Sequence, residues 1–292
     1  MKKYRFQVFL FWFLFISGVT SFFGVFYLAS VGYFGDMPDF RQLENPKTNF
    51  ASEIISSDNK VLGKYYFNDN RTPIEYEEIN PETINALIAI EDERFYSHPG
   101  IDLKATLRAI VFLNQRGGAS TITQQLARQL FVGVRSRNVF QAVTQKIKEW
   151  VIAVRLEKQY TKQEILTMYL NIYDFGYYGD GIKSASNIYF SKEPIDLKTE
   201  ESAMLIGMLQ NSSLYDPIRR PEITRNRRNL VLTQMTKNNY ITKKEEDSLK
   251  LLPLTLEYTP QSHRQGLATY FRSKNTVVDW NRIAIIPVHI VH

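Results

Sequence analysis

Cysteine is absent from the 292 residues, which excludes disulfides and thiolate metal sites. Histidine is scarce, and no pair of the four histidines has the spacing of a zinc site. Neither a P-loop nor a glycine-rich dinucleotide fingerprint occurs, so nucleotide chemistry has no support in the sequence. Charge is missing from the whole run Phe6 to Gly35, which is also rich in phenylalanine. That run exceeds the roughly 20 residues needed to cross a bilayer. Lys2, Lys3 and Arg5 precede it and Asp36 follows, the order expected for a cytoplasmic N-terminus and an external body. The chain therefore divides into a cytoplasmic tail (1–5), a transmembrane anchor (6–31) and a linker (32–50) before its main domain (51–250) and a C-terminal segment (251–292). The competing reading is a cleaved signal peptide ending near "YLAS", but the apolar core of such a peptide is shorter than this run.

What is present suits a folded protein. Hydrophobic residues make up 44% and charged residues 23%, values that argue against overall disorder. The net charge of +6 suits an anionic partner such as phosphate, lipid headgroups or nucleic acid, without choosing among them. The segment "SEIISSDNKVLGKYYF" alternates and turns at Asp58-Asn59, which predicts a small hairpin near the membrane. From Asn80 the signals are helical. Asn80-Pro81 reads as a cap with proline at the first helical position, Asp102 as a cap for "LKATLRAIVFLN", and Thr161/Glu164 and Thr242/Glu245 as capping boxes. The body is expected to be mainly α. Ser57 to Lys60 formally fits S-x-x-K but has no K-T-G downstream, so no penicillin-reactive serine is expected.

Three constellations stand out. In the helix from Pro81, Ile84, Leu87 and Ile88 form one stripe, and seven residues past Ile84 the stripe reaches Glu91, in "EDERFYSHPG". A partly desolvated carboxylate there can act as a general base, or it can be a structural acid paired with Arg94 or His98. "RGGASTITQQLARQLF" places Gly117-Gly118 before Ser120, read as the cap of a helix whose free N–H groups could bind an anion. In "TQKIKEWVIAVRLEKQ", Glu149 shares a stripe with Ile152, Ala153 and Leu156, and Lys146 lies one turn earlier. That helix is expected to be apolar nearly all round and central, with Lys146 and Glu149 either a buried ion pair or a substrate site. "YDFGYYGDGIKSAS" reads as a loop over a cleft or a tight turn, and Arg225, Arg227 and Arg228 as a solvated helix face.

Together, "EDERFYSHPG", "GASTITQQ", "KIKE", "KQEILTMYLN" and "RRNLVL" resemble, in order, the motifs of the peptidoglycan glycosyltransferases. These are the transglycosylase module of class A penicillin-binding proteins and their monofunctional relatives. The resemblance implies a lysozyme-like helical domain with a membrane-proximal jaw, on the extracytoplasmic side of the cell membrane. It implies lipid II and the nascent glycan strand as substrates, with membrane lipids and other cell-wall synthesis proteins as partners. Glu91 matches the general base, Lys146 and Arg128 the cations on the departing pyrophosphate, and Glu149 the second essential acid. Asp92, Phe95, His98, Ser120, Thr121, Thr123, Gln124 and Gln125 match positions lining the cleft. No cofactor is required and no metal ligand is assigned, although a divalent cation such as magnesium is compatible with Glu149. Gln145 stands where the family usually has arginine, so one cation is missing unless Arg135 or Arg137 replaces it, and Thr167 stands where the family usually has an acid. "HRQGLATYFR" resembles the linker into a transpeptidase module, whereas "SKNTVVDWNRIAIIPVHIVH" follows no family pattern. Such an end is expected of a shortened bifunctional enzyme or of a monofunctional one. Rival readings are a lysozyme-like glycan-cleaving enzyme and an inactive membrane-anchored scaffold.

Overall fold

A computed structural model of the chain describes residues 2–35, 37, 52–55, 61–65, 71–111, 120–259 and 289–291. The protein is mainly helical and divides into two compact units. The Ser57–Lys60 tetrad and the Gly117-Gly118 pair lie outside the described residues.

The first unit takes residues 1–46 and 97–161. Helix α1 (Lys2–Ser30) is long and apolar enough, by length and composition, to cross a membrane. Its aromatic side chains are bare through most of the length, with Phe9, Phe11, Trp12, Phe13 and Phe15 all exposed. Towards its C-terminal end the helix packs: Ala29 is fully buried, Phe26 stacks on Trp150 at 5.8 Å, and the Ser30 carbonyl accepts a 3.0 Å bond from Arg155. Trp150 and Arg155 belong to α5 (Val139–Gln159), the long helix of this unit.

On α5 the buried residues are Glu149, Ile152, Ala153 and Leu156, the stripe expected from their spacing. The helix is not buried all round, however, because Val139, Phe140 and Val143 are exposed. Apolar periodicity reports avoidance of water and does not separate a protein-facing surface from a lipid-facing one. Two short helices complete the described part, α3 (Leu103–Val111) and α4 (Ile122–Ala127). Asp102 caps α3 as expected, its carboxylate accepting the Ala105 N–H at 2.9 Å.

The second unit takes residues 47–96 and 162–292. Strands β1 (Ser52–Ile55) and β2 (Val61–Tyr65) pair antiparallel with a register shift at Ile54/Ile55, and β3 (His289–Val291) pairs with the other edge of β1. Helices α2 (Pro81–Glu91), α6 (Lys162–Ile172), α7 (Gly181–Phe190), α8 (Thr199–Met208), α9 (Pro221–Lys237) and α10 (Lys243–Leu251) form the body. The core gathers Ile84, Leu87 and Ile88 of α2 with Met204, Leu205, Val231, Leu232 and Met235. Within it the buried hydroxyls of Thr83 and Ser202 satisfy each other at 2.8 Å. Asn80 caps α2 by accepting from Glu82 N–H, with Pro81 at the first turn, and Thr242 and Glu245 form a reciprocal box at the start of α10.

One open reading is decided here and one expectation changes. "YDFGYYGDGIKSAS" forms a tight turn, closed by a bridge between Asp174 and Asp180 and held by Phe175 N–H donating to the Gly179 carbonyl. Gly181 has φ +82, and a Cβ there would lie 2.6 Å from the Asn171 carbonyl oxygen, so the turn requires glycine. Arg228 does not belong to a solvated face. It is 1% exposed and donates to the carbonyls of Lys250, Leu252 and Pro253 at 3.4, 2.8 and 3.2 Å, covering the end of α10. A guanidinium with five donors is suited to several orphaned carbonyls at once. The following strap, 252–259, runs back to α7, where the N–H groups of Glu257 and Thr259 donate to the carbonyls of Tyr189 and Ile188.

Candidate active site

The first unit assembles its site around Lys146. The ammonium donates to Ser120 Oγ at 2.8 Å, Gln124 Oε1 at 2.9 Å and Glu149 Oε2 at 2.9 Å. Lys146 and Glu149 are one turn apart on α5, which is why the pair forms without help from elsewhere. Glu149 is 5% exposed, so this is a nearly desolvated carboxylate whose charge is answered by the Lys146 ammonium. Burial pulls the Lys146 ammonium below its ordinary value, Glu149 opposes that shift, and the charges of Arg128 and Arg135 add to it. Lys146 therefore sits in a field of other cations, an arrangement that stores attraction for an anion.

The string that meets Lys146 is ordered by its own capping. The sequence points to Ser120 as the cap of α4, but Thr121 takes that role, its Oγ1 accepting from Gln124 N–H at 3.2 Å. Ser120 is already engaged with Lys146, which leaves the next hydroxyl for the helix end. Thr121 also donates to the Gly100 carbonyl at 2.7 Å, and Gln124 Nε2 reaches the same oxygen at 3.4 Å. Gly100 has φ +88, and a Cβ there would lie 2.9 Å from the Ala153 carbonyl oxygen of α5. Glycine thus lets this loop lie against α5 while its carbonyl receives the string.

Thr123 is placed differently from the expectation. It is fully buried, and its hydroxyl donates to Glu157 of α5, a contact that serves packing. Gln125 is half-buried, and His98 is 8% exposed. After α4 the helix widens into a single π turn, Arg128–Val132, closed by Gly133 N–H donating to the Arg128 carbonyl at 2.8 Å. Such turns are frequent at functional sites, and this one begins at the candidate cation Arg128.

An open cavity of about 750 Å³ lies in this unit. Phe26 of α1 and Val143, Ile147 and Trp150 of α5 line it, together with Arg135, Arg137 and Lys146.

In the second unit, Glu91 is the last residue of α2 and is half-buried, as its place on the stripe predicts. Asp92 follows as the helix cap, 8% exposed, with its carbonyl accepting from Phe95 N–H. Glu93 faces Lys237 at 3.2 Å and Arg94 at 3.5 Å. Phe95 is fully buried, with the Lys162 ammonium 4.3 Å above its ring, so its ring is committed to packing and a cation–π contact rather than to an exposed subsite. Tyr173, which the sequence does not single out, lies in the electrostatic range of Glu91. Its hydroxyl donates to the Met208 carbonyl at 3.0 Å. Its pKa is pushed up to about 12, by burial first and then by the charges of Glu91 and Asp174.

Comparison with known proteins places the chain in a family. The family model described as Transglycosylase matches residues 58–236. Penicillin-binding protein 1A of Vibrio cholerae serotype O1 is 37% identical over 247 residues, covering 83% of this chain and 29% of that one. Penicillin-binding protein 1A of Escherichia coli K12 is 34% identical, covering 76% and 26%. Penicillin-binding protein 1F of Bacillus subtilis is 36% identical, covering 75% and 30%. The chain thus spans less than a third of the length of these curated relatives. Among solved structures, penicillin-binding protein 1A of Haemophilus influenzae overlaps with a TM-score of 0.43 at 22% identity, covering 79% of this chain and 24% of that one. With most of its length matched by one family model and with relatives above 30% identity, the chain belongs to the transglycosylase family, the peptidoglycan glycosyltransferase module of class A penicillin-binding proteins.

Proposed function

We propose that the protein is a membrane-anchored peptidoglycan glycosyltransferase on a lysozyme-like fold, polymerising lipid II into β-1,4-linked glycan. The observation that carries this reading is the Lys146 ammonium, held by Ser120, Gln124 and Glu149 inside a family-matched string. In the reaction the acceptor sugar hydroxyl attacks the donor anomeric carbon. The new C–O bond forms as the bond from that carbon to the diphosphate oxygen breaks, with inversion. Glu91 takes the hydroxyl proton as general base. Polyprenyl diphosphate leaves with its negative charge met by Lys146 and Arg128. Glu149 keeps Lys146 oriented and charged. Ser120, Thr121, Gln124 and Gln125 keep their place in the cleft-lining string, Thr121 and Gln124 through the Gly100 carbonyl. Asp92 and His98, both nearly buried, are assigned to substrate binding by resemblance.

The bare aromatic surface of α1 supports an anchor rather than a soluble start. Lipid II and the growing strand are the partners of the site, and membrane lipids those of α1. Fixed protein cations do the electrostatic work here, so chelation with EDTA should leave chain growth within about twofold.

Incubating the purified full chain with lipid II and sizing the product tests the proposal. Lengthening glycan supports it. Shortening of preformed glycan would identify a hydrolase, and no change on either substrate a scaffold. Protease added outside spheroplasts should leave a short N-terminal fragment protected, while a soluble form starting near Val31 would identify a signal peptide instead.

A further inference from the structure

The second unit holds a cavity of about 240 Å³ that the proposed reaction does not use. It lies between α8, Arg228 of α9 and the strap, with Phe190 at the end of α7. A sphere of that volume is about 8 Å across, the reach of two extended residues at ~3.5 Å each. The cavity is thus sized for an amino acid or a dipeptide and falls below the range usual for larger organic ligands.

Its walls carry three cations, Lys192, Lys198 and Arg228, against three carboxylates, Glu200, Glu201 and Glu257. A wall so balanced in charge favours neither a polyanion nor a polycation. Lys192 and Glu201 answer each other at 2.7 Å. Lys198, Glu200 and Glu257 have no ion-pair partner among the described residues. Arg228, 1% exposed, directs its N–H groups at Asn229 Oδ1 and at the carbonyls of Lys250, Leu252 and Pro253. Its Nη1 carries two N–H groups, and the bond to Pro253 occupies one of them. Burial and the charge of Arg225 weigh against the guanidinium cation, with Glu200 opposing them, so a further carboxylate beside it would be stabilising. Between the charged groups the wall is apolar, with Phe190, Met204 and Leu254.

We infer that this cavity binds a small zwitterion, an amino acid or a dipeptide. Its carboxylate meets Lys198 and the second N–H of Arg228 Nη1, its ammonium meets Glu200 and Glu257, and its side chains lie on the apolar wall. A ligand held this way joins the strap to α8 and α9. The inference goes beyond the glycosyltransferase reading and does not depend on it.

The test titrates the full chain in detergent micelles with alanyl-alanine, followed by saturation-transfer NMR. Saturable binding is expected, in the weak range that so few atoms allow. Acetylating the amine or amidating the carboxylate should each weaken binding by about tenfold, because each removes one charge-assisted contact. Penta-alanine, whose terminal charges lie too far apart to enter together, should bind no better than a singly blocked dipeptide. Lys198→Met and Glu200→Gln should each weaken alanyl-alanine binding by about fivefold and leave the weak binding of the doubly blocked dipeptide unchanged. Hydrogen exchange at the Leu254 and Thr255 amides should slow in the wild type when alanyl-alanine is present. Glycan growth from lipid II should stay within about twofold of wild type in both variants.

Binding of the doubly blocked dipeptide as tight as that of alanyl-alanine overturns the inference, and so does the absence of saturable binding. Unchanged affinity in both variants overturns it as well. Penta-alanine binding as tightly as alanyl-alanine would replace the small zwitterion with one end of a longer peptide. If the wild type binds alanyl-alanine as expected but never extends lipid II, the glycosyltransferase reading falls and the cavity assignment stands.

Discussion

Glu91 and Glu149 each continue an apolar helical stripe, yet the two units treat them differently. Glu149 lies inside α5, 5% exposed, with the Lys146 ammonium 2.9 Å away. Glu91 ends α2, half-buried, in the electrostatic neighbourhood of the half-buried Tyr173. A carboxylate tied to an ammonium is a poor proton acceptor, because accepting the proton discards the pair. The contrast teaches that two acids on equivalent stripes can meet quite different neighbours, and the proposed function assigns charge placement to Glu149 and proton transfer to Glu91.

Breaking the Glu91 side of this contrast should give the largest effect. Glu91→Gln keeps shape and hydrogen bonding but cannot take the proton, so polymerisation should fall by ~10²–10⁴. Binding of a lipid-linked substrate or a phosphoglycolipid inhibitor should change far less. Single-turnover kinetics with parallel inhibitor binding check this, and near-normal turnover would make Glu91 structural.

Breaking the other side should weaken binding and turnover together. Glu149→Gln removes the charge that opposes the downward shift of Lys146, so Lys146 should lose its proton at a lower pH than in the wild type. The alkaline limb of the kcat/KM profile should therefore move to lower pH, and profiles of the two proteins decide the point. The stability consequence has a definite sign. Lys146 in the folded chain titrates below 10.5, so between its folded value and 10.5 the unfolded chain holds more protons. Its contribution to stability thus rises with pH across that window. In Glu149→Gln the window should widen downward, visible in urea melts at several alkaline pH values.

The smallest effect should come from Thr123, which tests whether the string around Lys146 is all chemistry. Thr123→Val keeps the volume but takes the hydroxyl donor from Glu157. Stability should drop by about 1–2 kcal/mol, while turnover per folded molecule stays constant. A loss of turnover at full stability would return Thr123 to the substrate.

What the sequence disclosed follows one pattern. The stripe leading to Glu91, the stripe carrying Glu149, and the caps at Asn80, Asp102 and Thr242 were legible because each depends on neighbours within one or two turns. The same holds for the Lys146–Glu149 pair. Ser120 was misread as the cap because its actual partner, Lys146, lies 26 residues away. Arg228 was misread because the carbonyls that bury it lie 22 to 25 residues downstream. Tyr173 near Glu91 and the bonds of Gln145 to the Val134 carbonyl and the Ser136 N–H belong to the same class. Periodicity reports which face of a helix avoids water and says nothing about what that face meets.

The strap beyond α10 has a mechanical consequence. A pull on the chain past Thr259 would not reach α10 first. It would load the two main-chain bonds from Glu257 and Thr259 to α7, the hydroxyl pair of Ser191 and Thr259, and only then the guanidinium that binds Leu252 and Pro253. Tension is thereby shared between α7 and α9 before it can unwind the last turn of α10. Anything tethered to this end would tug on the body of the second unit through a short series of breakable links, and Arg228 would be the last to yield.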